Sequence, residues 1–188
     1  MKKRLWITGY RSFELGAFND QDPKVQVVKR AIKDDLVDEI ENNDLEWLIT
    51  SGQLGVEQWA SETAIDLKKT FPTLKIAIML PFSDFGSQWN PEHQSALLNL
   101  RSQVDFSQSL SQEGYKSPIQ LRNFQQFMLT HTDEALMVYD PENTGKADYD
   151  YKAIKEYQGK HPDYTLKLID FDMLTDLSEE MEEERREW

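Results

Sequence analysis

The chain contains no cysteine. Disulfides and thiolate metal sites are therefore excluded. The three histidines, His93, His131 and His161, are too scattered to form an HxxxH or HxH ligand pair, so no metal site is expected. Basic residues are also scarce: 21 Lys and Arg stand against 34 Asp and Glu, a net charge of −13. So acidic a surface opposes nucleic-acid binding, which needs cations to neutralise phosphates. Long hydrophobic runs are missing too. The opening run Leu5-Trp6-Ile7 is too short for a signal-peptide core, and no stretch approaches membrane-spanning length. The expectation is a cytoplasmic protein with no membrane insertion. Glycine and proline nowhere gather into a linker, and no repeat or low-complexity tract divides the chain.

What is present suits a packed domain. Hydrophobic residues make up 39% of the 188 positions and aromatics 11%, and a chain of this length buries roughly 70% of its unfolded surface. The expected organisation is one domain over residues 1–175 and an acidic helical tail over 176–188. In that tail Asp176, Glu179, Glu180, Glu182, Glu183, Glu184 and Glu187 face only Arg185 and Arg186. Such a run is a solvated helix end or, less often, a partner-docking segment.

Apolar strands alternate with helical patterns almost throughout. Strands are expected at Arg4–Thr8, Leu45–Thr50, Leu74–Leu80, Glu134–Tyr139 and Tyr164–Asp170, with a short, weakly alternating one at Val104–Leu110. Helices are expected from Pro23 (Val28, Ala31, Ile32, Leu36 and Ile40 on one face), from Val56, near Glu92–Arg101, after Pro118, at Tyr149–Gln158 and at Phe171–Trp188. Leu74–Leu80 is a nearly unbroken apolar run, as strands covered on both faces are. The fold class is therefore α/β: a Rossmann-like three-layer sandwich around a mainly parallel sheet. Ligands in such sheets sit outside the carboxyl ends of strands, where strand order reverses.

That rule directs attention to four loops. After the second strand, Ser51-Gly52-Gln53-Leu54-Gly55-Val56-Glu57 passes through two glycines into an amphipathic helix. Strand, glycine turn and helix together aim backbone N–H groups and a helix dipole at an anion, though tight packing alone produces the same pattern. Glu57 is placed to accept from a sugar hydroxyl. The first loop offers Gly9, Arg11 and Ser12, the guanidinium being suited to bidentate phosphate contact. The third ends near Trp89, which would stack on a base or fold over the edge of the core. The fourth, Asp140–Asp148, is a polar turn with Lys146 beside Gly145.

Several of these segments resemble one known family. Ile7 to Gly16, Ser51 to Ala60, Pro81-Phe82, Tyr115-Lys116-Ser117-Pro118, Arg122-Asn123 and Tyr139-Asp140-Pro141-Glu142 are similar to the YpsA-like family of Gram-positive bacteria. The resemblance covers all but the acidic tail. That family looks like a branch of the SLOG superfamily, whose Rossmann-like members include DNA-processing protein A and the Lonely Guy phosphoribohydrolases. The resemblance implies a pocket for a nucleotide or nucleotide-derived ligand of the ADP-ribose or mononucleotide kind. It also implies a regulatory role tied to bacterial cell division, with a protein partner there, and homo-oligomers as among the relatives. Carried over by motif, the ligand-binding residues are Gly9, Arg11, Ser51, Gly52, Gly55, Glu57, Arg122, Asn123, Tyr139, Asp140 and Gly145, with Trp89 added from its loop. Two departures narrow the inference. DNA-processing protein A places three residues between its glycines and an aspartate after them; here there are two, and Glu57 follows. The second Lonely Guy motif, Pro-Gly-Gly-x-Gly-Thr-x-x-Glu, has no counterpart in Asp140–Asp148.

Three functions follow in order of expectation. The first is a regulatory module that binds a nucleotide ligand. The second is an N-glycosidic hydrolase using Glu57. The third is an interaction protein whose pocket is vestigial.

Overall fold

The computed structural model describes residues 2–187. Chain order is β1 (Lys3–Gly9), α1 (Ser12–Leu15), α2 (Pro23–Asn42), β2 (Leu45–Thr50), α3 (Val56–Leu67), β3 (Lys75–Phe82), α4 (Pro91–Ser102), β4 (Phe106–Ser111), α5 (Ile119–Thr130), β5 (Glu134–Val138), α6 (Asp148–Lys160), β6 (Thr165–Ile169) and α7 (Phe171–Arg186). The six strands form one sheet in the order β4-β3-β2-β1-β5-β6, and every neighbouring pair is parallel. This is an α/β, Rossmann-like fold. Two differences from the sequence reading stand out. The first loop contains a single helical turn, α1, too short to leave a periodic signal. The third strand runs on through Pro81 to Phe82, beyond its last rung with β2 at Thr50–Ile78, where Pro81 no longer has a β2 partner.

Right-handed crossovers explain the layers. The chain steps from β1 outward to β4 with α2, α3 and α4 on one face. It then crosses back through α5 to β5 and steps the other way to β6 with α6 on the opposite face. α2 packs on α3 and α7, α3 on α4, and α5 on α6. The central strands are the most enclosed: Leu5, Trp6 and Ile7 of β1 and Ala135 to Val138 of β5 have no exposed surface. Helix starts follow their capping chemistry. The Asp22 side chain accepts from Lys24 N–H (2.9 Å) ahead of Pro23, and the Asn90 side chain accepts from His93 N–H (2.8 Å) ahead of Pro91. α7 is one continuous helix capped by Asp170, and Arg30 of α2 holds Glu184 with both guanidinium nitrogens at 3.3 Å. The far end of the expected terminal helix, Trp188, lies outside the described residues.

The amino edge of the sheet is closed by charge rather than by apolar packing. Glu39 of α2 is fully buried, accepts from Lys3 Nζ (2.9 Å) and pairs with Lys167; Lys3 also reaches Glu134 at 2.7 Å. Burial opposes the Lys3 charge, but its two carboxylate partners outweigh it and hold its pKa above the ordinary lysine value. A shallow groove of about 400 Å³ lies beside this network, lined in part by Lys2, Asn43, Tyr157 and Tyr164. It sits at the amino ends of the strands, opposite the carboxyl ends where an open α/β sheet places its ligand.

Candidate functional site

Strand order reverses between β1 and β5, so the crevice expected of an open α/β sheet lies beyond Gly9 and Val138. Gly9 sits against β5: a Cβ there would come within 2.5 Å of the Val138 carbonyl oxygen. The chain then turns through Tyr10 and Arg11 and docks on the turn after β2. Arg11 bridges to Gly55, and Val56 N–H donates to the Tyr10 carbonyl at 3.0 Å.

That docking accounts for both glycines of the turn. Gly55 has φ +110°, and a Cβ on it would meet Tyr10 O and Ser12 N at 2.6 Å, all rigid backbone. Gly52 is buried under α4, where a Cβ would run into Leu97 and stand 3.2 Å from Leu80 Cδ2. The anion seat of the turn is taken from within. Glu57 folds back so that its Oε2 accepts from the Ser51 hydroxyl and from Gln53 N–H at 3.2 Å. The positive end of α3 therefore already faces a carboxyl group of its own first turn.

Glu57 also has a neighbour that the sequence did not announce. Thr8, the last β1 residue before Gly9, stands between Glu57 Oε1 at 3.1 Å and Asp150 Oδ2 at 2.7 Å. Asp150 lies in the first turn of α6 and accepts from Gln125 Nε2 of α5 at 2.7 Å. Burial raises the Glu57 carboxyl to about 7 and the Asp150 charge adds to it, while hydrogen bonds from Ser51 and Thr8 and the Arg11 charge pull the other way. Burial likewise raises Asp150, against the hydrogen bonds from Gln125 and Thr8 and the charge of Arg11. Two carboxyl groups and one guanidinium thus share the carboxyl end of β1.

Beside them opens a cleft of about 300 Å³, lined by Arg11, Phe13, Phe18, Gln53, Trp89 and His93, with Ser12 and Leu54 completing it. Its rim is aromatic and wet: Phe13 is 57% and Phe18 71% exposed. Trp89 is half-buried, edge-on to Phe85 at 5.4 Å between ring centres. Among the described residues, no group of three or more His, Asp or Glu is placed to hold a metal ion.

Of the residues singled out from sequence, the structure brings Gly9, Arg11, Ser51, Gly52, Gly55, Glu57 and Trp89 to this region. The others divide. Tyr139 is fully buried, packs on Tyr10 and Tyr151, and donates its hydroxyl to Asp148 at 2.8 Å; its ring belongs to the core. The Asp140 carboxylate accepts from Glu142 N–H (2.9 Å) and Phe171 N–H (3.3 Å), which makes it a brace between the β5 loop and α7. Gly145 lies against the Glu14 carboxylate, which accepts from Arg11 N–H at 2.9 Å and Lys146 N–H at 2.8 Å. Arg122 and Asn123 are exposed on α5. Arg122 shares a helical face with Gln125 one turn away. Thr8, Asp150, Gln125, Phe13, Phe18 and Glu14 were not picked out as site residues. Only Thr8, ending a buried strand just before a glycine, left a usable signal.

Comparison with known proteins agrees with this architecture. The YpsA model, described as a SLOG family, matches residues 5–174. A UPF0398 protein of Oenococcus oeni is 69% identical over 188 residues, covering 100% of both chains. Another from Leuconostoc citreum is 55% identical over 184 residues, covering 98% of this chain and 96% of its own. A third, from Levilactobacillus brevis, is 54% identical over 180 residues, 96% of this chain and 94% of its own. No helix in the described residues is long and apolar enough to cross a membrane. With a family match over most of its length and relatives this similar end to end, the chain belongs to the YpsA family, a SLOG family.

Proposed function

We propose that the cleft at the carboxyl edge binds a nucleotide or nucleotide-derived small molecule, of the ADP-ribose or mononucleotide kind, and that the protein serves as a regulatory binding module. One juxtaposition carries the reading: a guanidinium, Arg11, within a cleft walled by Phe13, Phe18 and Trp89 over the carboxyl ends of β1, β2 and β3, next to the reversal of strand order. Exposed aromatic faces around a cation suit a ligand with a flat base and an anionic group, the base stacking and the anion pairing bidentately. The phosphate is assigned to Arg11 rather than to the Ser51–Gly55 turn, because Glu57 already engages Gln53 N–H and the Ser51 hydroxyl. The cell-division context is taken from the family resemblance.

The test is thermal denaturation against a panel of ADP-ribose and mononucleotides. A ligand at a hundred times its Kd adds about 2.7 kcal/mol, which raises Tm by roughly 5–11 °C for a chain of this size. Arg11→Ala and Trp89→Ala should erase that rise, each variant being measured against its own ligand-free Tm. A panel at millimolar concentration that leaves Tm unmoved ends the proposal.

A second reading, N-glycosidic hydrolysis, is favoured by the Glu57 carboxyl at about 7 with a second carboxyl beside it. A general acid works best with a pKa near the operating pH. It requires free base to be released from a nucleotide and the release to vanish in Glu57→Gln. Absence of base release at high protein concentration removes it.

A further inference from the structure

Glu57 and Asp150 come from different helices and meet only through the Thr8 hydroxyl. Thr8 Oγ1 lies 3.1 Å from Glu57 Oε1 and 2.7 Å from Asp150 Oδ2. A threonine hydroxyl carries one proton. It can donate to one of these carboxyls; the other contact then sets lone pair against lone pair, unless that carboxyl is itself protonated. The remaining oxygens offer no alternative arrangement. Glu57 Oε2 accepts from the Ser51 hydroxyl and Gln53 N–H, and Asp150 Oδ1 accepts from Gln125 Nε2. The Thr8 hydroxyl points its proton at the nearer acceptor, Asp150 Oδ2 at 2.7 Å, so the extra proton belongs on Glu57 Oε1, the longer contact at 3.1 Å.

We propose that Glu57 and Asp150 form a carboxyl dyad, bridged by Thr8, that holds a single proton near neutral pH. Glu57 Oε1–H donates to Thr8 Oγ1, and Thr8 Oγ1–H donates to Asp150 Oδ2. The charged group facing both carboxyls is Arg11, from the loop after β1; Ser51, Gln53 N–H and Gln125 complete the surroundings from β2, its turn and α5. With one proton on the dyad, its net charge of −1 is balanced by Arg11, and the head of the cleft is neutral. The arrangement is also a relay. If Glu57 passes its proton to Thr8 while Thr8 passes its own to Asp150, no atom gains or loses a proton overall except the two carboxyls.

The dyad is a property of the ligand-free protein, so its test is independent of the binding proposal. Protein carrying ¹³C-labelled Glu and Asp carboxyls is titrated by NMR from acid to mildly alkaline pH. One Glu resonance should show a midpoint near 7 and be absent in Glu57→Gln. In Asp150→Asn, which keeps the shape of the side chain, that midpoint should fall by about one pH unit or more, since a neighbouring like charge has gone. The proposal is overturned if every Glu resonance completes its titration at ordinary carboxylate pH. It is equally overturned if Asp150→Asn leaves the midpoint where it was, because burial alone would then hold the proton.

Discussion

Gly52→Ala adds one methyl group at the point where α4 rests on the turn after β2. That carbon would run into Leu97 Cδ1 and stand 3.2 Å from Leu80 Cδ2. Both obstacles are ends of flexible side chains, so the structure yields rather than breaks. Leu97 is only 6% exposed and Leu80 1%, so neither has open space to retreat into. Overpacking of this kind costs about 1–3 kcal/mol. Gly52 does not need a left-handed backbone, so no further strain is added and the lower half of that range applies, about 1–2 kcal/mol. In thermal terms the loss is roughly 2–8 °C. A urea titration should show a lower midpoint at unchanged slope. Leu97→Ala provides the control. It costs about 2–5 kcal/mol by itself, but it removes the obstruction, so adding Gly52→Ala to it should cost less than about 0.5 kcal/mol, a coupling of about 1 kcal/mol. An equal loss in both backgrounds, or no loss in either, refutes the packing account. A glycine kept only for ligand approach predicts no loss in the ligand-free protein.

Glu57 gives the stability curve a defined direction. Its pKa rises from 4.5 to about 7 on folding, so the native state keeps a proton that the unfolded chain has lost. That contribution is complete below the unfolded pKa and disappears as pH rises through the folded one. Glu57→Gln, a stand-in for the protonated form, should match wild type near pH 5 and exceed it by about 2–3 kcal/mol near pH 8; parallel urea titrations with no divergence contradict the assignment. At the other edge of the sheet, Glu39→Ala strips the buried partner from Lys3 and Lys167, which keep Glu134 and Asp35. Removing one side of a buried pair costs about 3–5 kcal/mol, and the partners left in place reduce this to about 2–3 kcal/mol. A loss below about 1 kcal/mol in the urea midpoint would mean that water already reaches the site.

The parallel sheet was legible because its central strands are covered on both faces. Leu74–Leu80 and Glu134–Tyr139 had to be apolar nearly throughout, and a run of that length between turn residues admits few other readings. The location of the site was legible for a related reason: Gly9, Arg11 and Ser51–Glu57 follow strand ends, and strand ends lead to the crevice. What each residue does there was less legible. Gly52 looked like a place for a phosphate because Leu97, which fills that space, belongs to a helix with no local link to the turn. Tyr139 and Asp140 have side chains suited to ligand contact, but Tyr10, 130 positions from Asp140, donates its hydroxyl to the Asn143 carbonyl at 2.7 Å, with the Asp140 carbonyl oxygen 3.2 Å away. Asp150 had no signal at all, since its meaning comes from Thr8, 142 positions away. Phe18 gave no signal either, standing alone in the loop after α1 with no periodic partner. Its place on the rim of the cleft comes from the tertiary fold.

The brace around Glu14 has a mechanical consequence. Glu14 fastens Arg11 N–H to Lys146 N–H, the Tyr10 hydroxyl accepts from Asp140 N–H at 2.9 Å, and the Asp140 carboxylate accepts from the first N–H of α7. The two loops on either side of the strand reversal are therefore stapled into one collar, and the collar is bolted to the helix that ends in the acidic tail. The Arg11 backbone cannot shift without straining that collar, so the loop presents its guanidinium from a fixed base. Because Arg30 of α2 also holds Glu184 near the other end of α7, that helix is fixed at both ends, and the collar and the acidic tail are parts of one braced frame.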